Sequence, residues 1–307
     1  MKIGVIYHNP SLPLHVNIGD DIQTLGVINL LQEICGKKLE IIYIDREHVN
    51  DFLAPEPVIT IMQWWWLHNL TSWPPSPSIK PIFIGFHVSS KFRKFIARNP
   101  DSLQYFKLHE PIGCRDLASY NFFISKGVKA YFSGCLSIFQ SPKNDSLNRD
   151  TVFLVDAAEM ASFLPSSVTN NIICLSHQIG FSSLWERLIA AQKLIDLYFS
   201  RWKLVITTKL HCALPCIAMG LPVIVLRHKR IDDRLDLLRL FTKNIYFYPL
   251  YLKLINILWF WKKMSSQRLH NVFQVDAPES FLYESQQKIR TLLTKELRKN
   301  FRDIDFS

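Results

Sequence analysis

The run Leu204-Val205-Ile206-Thr207-Thr208-Lys209-Leu210-His211-Cys212 takes an apolar strand into a helix start. Either threonine can cap that helix, and Lys209 and His211 then fall in its first turn. Free amide N–H groups and the positive end of the helix dipole point to the same place. A lysine and a histidine added there build a pocket for a phosphate or a carboxylate. His211 can also give or take a proton near neutral pH. The competing reading is a surface lysine beside a histidine satisfied by a backbone carbonyl, and spacing alone leaves both open. After the next strand, Arg227-His228-Lys229-Arg230 offers a second set of cations, Arg230 among them. That run reads equally well as a solvated charge cluster.

The first half carries different chemistry. Asn17-Ile18-Gly19-Asp20-Asp21-Ile22-Gln23 sets a flexible glycine and an acidic group at a helix start. Asp20 is there either as a plain N-cap or as a carboxylate that takes a proton from a sugar hydroxyl. His109-Glu110-Pro111-Ile112-Gly113-Cys114-Arg115-Asp116 repeats the arrangement. Arg115 can grip a carboxylate or phosphate with two parallel hydrogen bonds, or spend itself on an internal pair with Asp116 or Glu110. Gln63-Trp64-Trp65-Trp66 and His87 are expected just after the third and fourth strands. Flat aromatic faces suit sugar rings, but three adjacent tryptophans cannot all point one way, so at least one belongs to the core.

The elements that must position these residues alternate strand and helix, which implies parallel sheets with covering helices. Strands are expected at 2–7, 39–44, 57–62, 81–86 and 128–132. The helix Asp20–Cys35 has apolar residues at Ile22, Leu25, Ile28, Leu31 and Ile34, with Gly36 to end it. The polar stretch Ser141–Asp150 marks a boundary. Beyond it come strands at 152–155, 171–175, 203–207 and 222–226, helices at 183–199 and 209–219, and a helix near Asp232–Phe241. The residues divide into an N-terminal domain 1–142, a C-terminal domain 143–275 and a charged helical tail 276–307. Ligands of such open sheets sit beyond the carboxyl ends of strands, so two facing domains predict a cleft between them.

Bulk properties narrow the partners. In 307 residues, 36 Lys and Arg against 26 Asp and Glu give a net charge of +10, which favours anionic partners. The charges are dispersed and no nucleic-acid module is present, so nucleic acid is not the expected partner. Six cysteines without a CxxC pair read as buried, reduced thiols, and no metal site is expected. With no signal-peptide pattern and no apolar run of about 18 residues, the sequence reads as a cytoplasmic protein. The aromatic, basic segment 246–263 is a candidate for peripheral contact with the inner membrane face, with packing against the other domain as the alternative.

Five motifs in one order resemble the polysaccharide pyruvyl transferase family. They are Asn17–Gln23, Glu110–Asp116, Ser133-Gly134-Cys135-Leu136-Ser137, Thr207–Cys212, and Ala218-Met219-Gly220-Leu221-Pro222, together spanning roughly residues 1–240. The resemblance implies α/β architecture, with two Rossmann-like domains similar to B-type glycosyltransferases. It implies phosphoenolpyruvate as donor, a glycan or lipid-linked oligosaccharide diol as acceptor, and neither metal nor organic cofactor. The family's arginine-leucine-histidine donor grip falls on Lys209-Leu210-His211, where lysine keeps the charge and gives up the bidentate fork. In that scheme Lys209, Leu210, Arg115, Asn17, Gly19, Thr208, His87 and Arg230 bind substrate. His211 supplies a proton, and Asp20 or Asp116 removes one. The same fold suits a glycosyltransferase using a nucleotide sugar, and a non-catalytic glycan- or membrane-binding relative is the third reading.

Overall fold

A computed structural model describes residues 1–9, 16–36, 39–66, 72–143, 148–164, 171–180, 183–227, 237–242, 245–247 and 279–301. Contacts divide the chain into two compact units. Met1–Leu12, Gln23–Phe139 and Tyr283–Ser307 form the first, and Pro13–Ile22 with Gln140–Leu282 the second.

In the first unit, strand β1 (Lys2–Tyr7) is followed by β2 (Val16–Asn17), which groups with the second unit, and by helix α1 (Ile18–Cys35). Then come β3 (Glu40–Asp45), β4 (Val58–Trp66), β5 (Ile79–Val88), α2 (Ser90–Arg98), α3 (Pro100–Leu108), β6 (Ile112–Cys114), α4 (Leu117–Ser125) and β7 (Ala130–Phe132). Six of the strands make one parallel sheet in the order β3-β1-β4-β5-β6-β7. The helix starts follow local chemistry. Ser89 accepts from the Phe92 amide, and Asn99 accepts from Ser102 with Pro100 filling the first helical position. Gly36, at φ +63°, ends α1 in the left-handed conformation that costs glycine least. Beside the sheet, Phe83, Phe86, Phe92, Phe106 and Trp73 form an aromatic core, with the Trp73 and Phe106 rings stacked 4.9 Å apart.

The second unit carries β8 (Thr151–Val155), β9 (Ile172–Leu175), β10 (Gln178–Ile179), α5 (Leu184–Arg201), β11 (Trp202–Thr207), α6 (Leu210–Ala218), β12 (Val223–Arg227) and β13 (Ile245–Phe247). Five strands pair in parallel in the order β13-β12-β11-β8-β9, and β10 pairs antiparallel with β2. Val152, Leu154, Leu204, Ile206, Ile224 and Leu226 are buried together. Ser183 and Glu186 close a capping box at the start of α5.

The charged tail is helix α7 (Glu279–Asn300), and its residues from Tyr283 onward group with the first unit. Ile289, Leu293 and Leu297 recur every fourth residue and are buried. Arg290 pairs with Glu33 of α1, and Gln286 donates to the Ile138 carbonyl at 3.3 Å.

Each sheet reverses direction once along its edge, as doubly wound sheets do. The reversal lies between β1 and β4 in the first unit and between β8 and β11 in the second. Sequence reading places most strands within two residues but stops two of them short. β4 runs on to Trp66 and β5 to Val88, so Trp64 and His87 stand inside strands and not in the loops after them. The cause is register: β4 and β5 stay paired through Trp66↔Val88 beyond a shift at Met62/Trp64. Of the helix expected near Asp232–Phe241, residues 232–236 lie outside the described residues, and Leu237–Leu240 forms one 3-10 turn. Arg230 and residues 248–263 of the candidate membrane segment also lie outside them. No described helix is long and apolar enough to cross a membrane.

Candidate functional site

At the second unit's reversal, the loops after β8 and β11 meet. Asp156 follows β8 with φ +50°, a left-handed conformation that aspartate tolerates better than most residues. Its carbonyl accepts from the Thr208 hydroxyl at 3.2 Å. Its carboxylate accepts from the Ser176 hydroxyl and the His177 amide, and lies 3.7 Å from Lys209 Nζ. Lys209 is the N-cap of α6 and not part of its first turn. Its amide is taken by Thr207 Oγ1 at 3.0 Å, so Thr207 fixes the entry to the helix while Thr208 ties that loop to Asp156. The expectation that either threonine caps α6 is corrected accordingly.

Leu210 and His211 open α6, and His211 Nδ1 lies 4.0 Å from Asp20 Oδ1. Both side chains keep some solvent exposure, 11% for His211 and 28% for Asp20. Asp20 is therefore inside the first turn of α1 and is not its cap. The cap is Asn17, whose Oδ1 accepts from the Gly19 amide at 3.1 Å. The Ile18 amide donates to the His177 carbonyl at 2.8 Å. The bare Cα of Gly19 is what lets these parts approach. A methyl group there would stand 3.1 Å from Asn17 Oδ1, 3.2 Å from His211 Cβ and 3.3 Å from His177 Nδ1.

Two buried side chains lock this start of α1. Arg187 of α5 reaches both oxygens of Asp21, at 3.1 and 3.2 Å, and both residues are almost fully buried. Burial pushes the Asp21 carboxyl up to about 7 in spite of Arg187. His177, fully buried, bonds through Nε2 to the Tyr198 hydroxyl of α5 at 3.1 Å.

A separate cluster lies in the first unit. His87 Nδ1 is hydrogen-bonded to Asp116 Oδ2, and Asp116 Oδ1 caps α4 by accepting from the Ser119 amide at 2.9 Å. Burial and the Arg115 charge hold His87 below its ordinary pKa against the pull of Asp116. Burial would raise Asp116, but the His87 bond, the His87 and Arg115 charges and the Ser119 amide together bring it below the usual carboxylate range. Arg115 is 1% exposed, with Nε 3.9 Å from Asp116 Oδ2. Among the described residues, its Nε and Nη2 have no hydrogen-bond partner.

The structure thus brings Asn17, Gly19, Asp20 and His211 together, and sets Thr208 and Lys209 against Asp156. It joins His87 and Asp116, with Arg115 beside them. Asp116 is 1% exposed and committed to a cap and a histidine, so it is a positioning group and not the accessible base the sequence suggested. Asp156, His177 and Arg187 escaped sequence reading. Asp156 had a signal, as a charged residue directly after a strand, whereas Arg187 sits mid-helix with nothing local to mark it.

Compared with known proteins, the chain matches the family model "Polysaccharide pyruvyl transferase" over residues 17–230. No curated protein matches the sequence. Among solved structures, the chain is similar to a functionally uncharacterised protein of Klebsiella pneumoniae. That match has 12% identity and a TM-score of 0.50, covering 80% of this chain and 92% of the other. It is also similar to the UDP-GlcNAc 2-epimerase of Methanocaldococcus jannaschii, at 9% identity and a TM-score of 0.43, covering 96% of this chain and 100% of that one.

Proposed function

Because the chain belongs to the polysaccharide pyruvyl transferase family, we propose that it moves a pyruvyl group from phosphoenolpyruvate to two hydroxyls of a surface glycan or its lipid-linked precursor. The observation that carries this reading is the approach of His211 Nδ1 to Asp20 Oδ1, 4.0 Å apart with both side chains partly exposed. The Asp20–His211 pair supplies acid and base, and Lys209 at the N-cap of α6 supplies a cation.

In this reading His211, protonated, gives its proton to the methylene carbon of the donor, which becomes a methyl group. The central carbon turns electrophilic, and one acceptor hydroxyl adds to it as Asp20 takes the hydroxyl proton. The second hydroxyl then displaces phosphate at the same carbon. The C–O bond to phosphate breaks, that hydroxyl's proton leaves with the phosphate, and the products are a cyclic ketal and inorganic phosphate. Lys209 binds the donor's anionic groups.

Binding separates the classes. Phosphoenolpyruvate should raise the thermal midpoint in proportion to its saturation, and a UDP-sugar should not. His211→Ala should keep that shift and the fold while losing phosphate release. Stabilisation by the nucleotide sugar alone would assign the chain to glycosyl transfer, and wild-type turnover in His211→Ala would remove the acid from His211.

A further inference from the structure

Helix α2 of the first unit presents a basic face that the sites above do not use. Four of the nine residues of Ser90-Lys91-Phe92-Arg93-Lys94-Phe95-Ile96-Ala97-Arg98 are basic and none is acidic. Phe92 and Ile96 are anchored in the aromatic core, at 0% and 1% exposure. A helix held at 92 and 96 turns 91, 94 and 98 outward, because positions i, i+3 and i+7 share one stripe on the far side. Lys91, Lys94 and Arg98 are all exposed, and among the described residues none of them meets a carboxylate. Arg93, half-buried, is not part of the stripe. Both ends of the helix are fixed. Ser89 Oγ accepts from the Phe92 amide at 3.3 Å, and the Asn99 amide donates to the Ile96 carbonyl at 3.2 Å.

An apolar side chain stands where the stripe begins. β5 and β6 pair through Phe86↔Cys114, and the Val88 amide donates to Ser119 Oγ at 2.9 Å. The starts of α2 and α4, which leave the carboxyl ends of those two strands, are thereby held together. Leu117, the first residue of α4, is 53% exposed there. One exposed leucine is ordinary by itself. At the end of an unpaired basic stripe it completes a surface suited to an anionic bilayer. The cations attract the headgroups, and the apolar side chain enters the boundary beneath them.

Other partners fit less well. Nucleic acid would account for the cations and give Leu117 nothing apolar to enter. A protein partner has to bury about 1,000 Å², and three cations with one leucine offer no apolar centre for it. Helix α7 also exposes Lys288, Lys295 and Arg298, but Glu284 is exposed among them and Glu296 pairs with Lys299.

We infer that Lys91, Lys94 and Arg98 of α2, with Leu117 of α4, form a docking surface for an anionic phospholipid bilayer. It stands at the carboxyl edge of the first sheet, the edge that ligands of open sheets use. Nothing in it depends on the identity of the donor.

Vesicle flotation with the full chain tests it, using vesicles of phosphatidylglycerol with phosphatidylcholine and, in parallel, of phosphatidylcholine alone. Wild type should float with the anionic vesicles only, and less so as salt rises, because the attraction is screened. A basic residue near an anionic surface tightens binding about fivefold, so Lys91→Ala/Lys94→Ala/Arg98→Ala should weaken it roughly a hundredfold. Leu117→Ser should weaken it about threefold or more. Both variants should unfold at the wild-type temperature, since all four side chains are exposed. Lys288→Ala/Lys295→Ala/Arg298→Ala removes the same charge from α7 and should weaken binding far less. No flotation of wild type, undiminished flotation of the α2 variant, or an equal loss in the α7 variant overturns the assignment. Tighter capture of a duplex oligonucleotide than of vesicles, lost in the α2 variant, would overturn it in favour of nucleic acid.

Discussion

Replacing Arg187 by methionine keeps most of the volume of the buried stem and removes the partner of Asp21. Asp21 is pushed from 3.8 to about 7 on folding, so its ionisation opposes folding. In wild type the group is neutral and neutral in effect below pH 3.8. It costs stability at about 1.36 kcal/mol per pH unit as pH rises to about 7, and adds no further slope above that. Arg187 supplies both of the largest lowering influences on Asp21, its charge and its hydrogen bonds. Without them the folded pKa moves well above 7, and the loss continues where wild type has levelled off. The destabilisation by Arg187→Met should therefore be larger at pH 8 than at pH 6 by about 1.4 kcal/mol. That increment adds to roughly 1.5–3 kcal/mol for the lost charged hydrogen bonds. Urea unfolding of both proteins at the two pH values and one ionic strength measures it, because other titrating groups cancel in the difference. Equal destabilisation at both pH values, or a larger one at pH 6, would refute the argument.

Two further substitutions probe packing and charge. Gly113→Ala should lower stability by about 1–3 kcal/mol, because the new methyl would stand 2.5 Å from the Phe83 carbonyl oxygen and 2.7 Å from Tyr131 Oη. An unchanged thermal midpoint would count against this close approach. Lys209→Arg restores a bidentate fork at the N-cap of α6 and should tighten phosphoenolpyruvate binding about 3–10-fold by calorimetry. Affinity equal to or weaker than wild type would argue that Lys209 does not reach the donor.

What could be read from the sequence was what local rules decide. The apolar runs at 2–7, 152–155 and 203–207 are strands, a helix begins at Ser183, and Gly36 ends another. The candidate residues stood out too, because Asn17, Gly19, Asp20, Lys209 and His211 lie at element junctions. What they touch did not. Asp20 and His211 come from distant parts of the chain, as do Asp21 and Arg187 or His87 and Asp116. No spacing rule covers such separations. The misplacement of His87 and Trp64 has the same origin, since a strand's end is decided by how far its neighbour keeps pairing.

Helix α7 has a consequence for how the protein comes into being on the ribosome. The first unit has most of its chain by Phe139, yet its last segment starts only at Tyr283, after the second unit has been synthesised. At about 5–20 residues per second, that interval lasts roughly 7 to 30 s. During it, the surface that will cover Ile289, Leu293 and Leu297 stands bare. Nascent chains stalled before residue 280 should therefore bind chaperones that full-length chains have released.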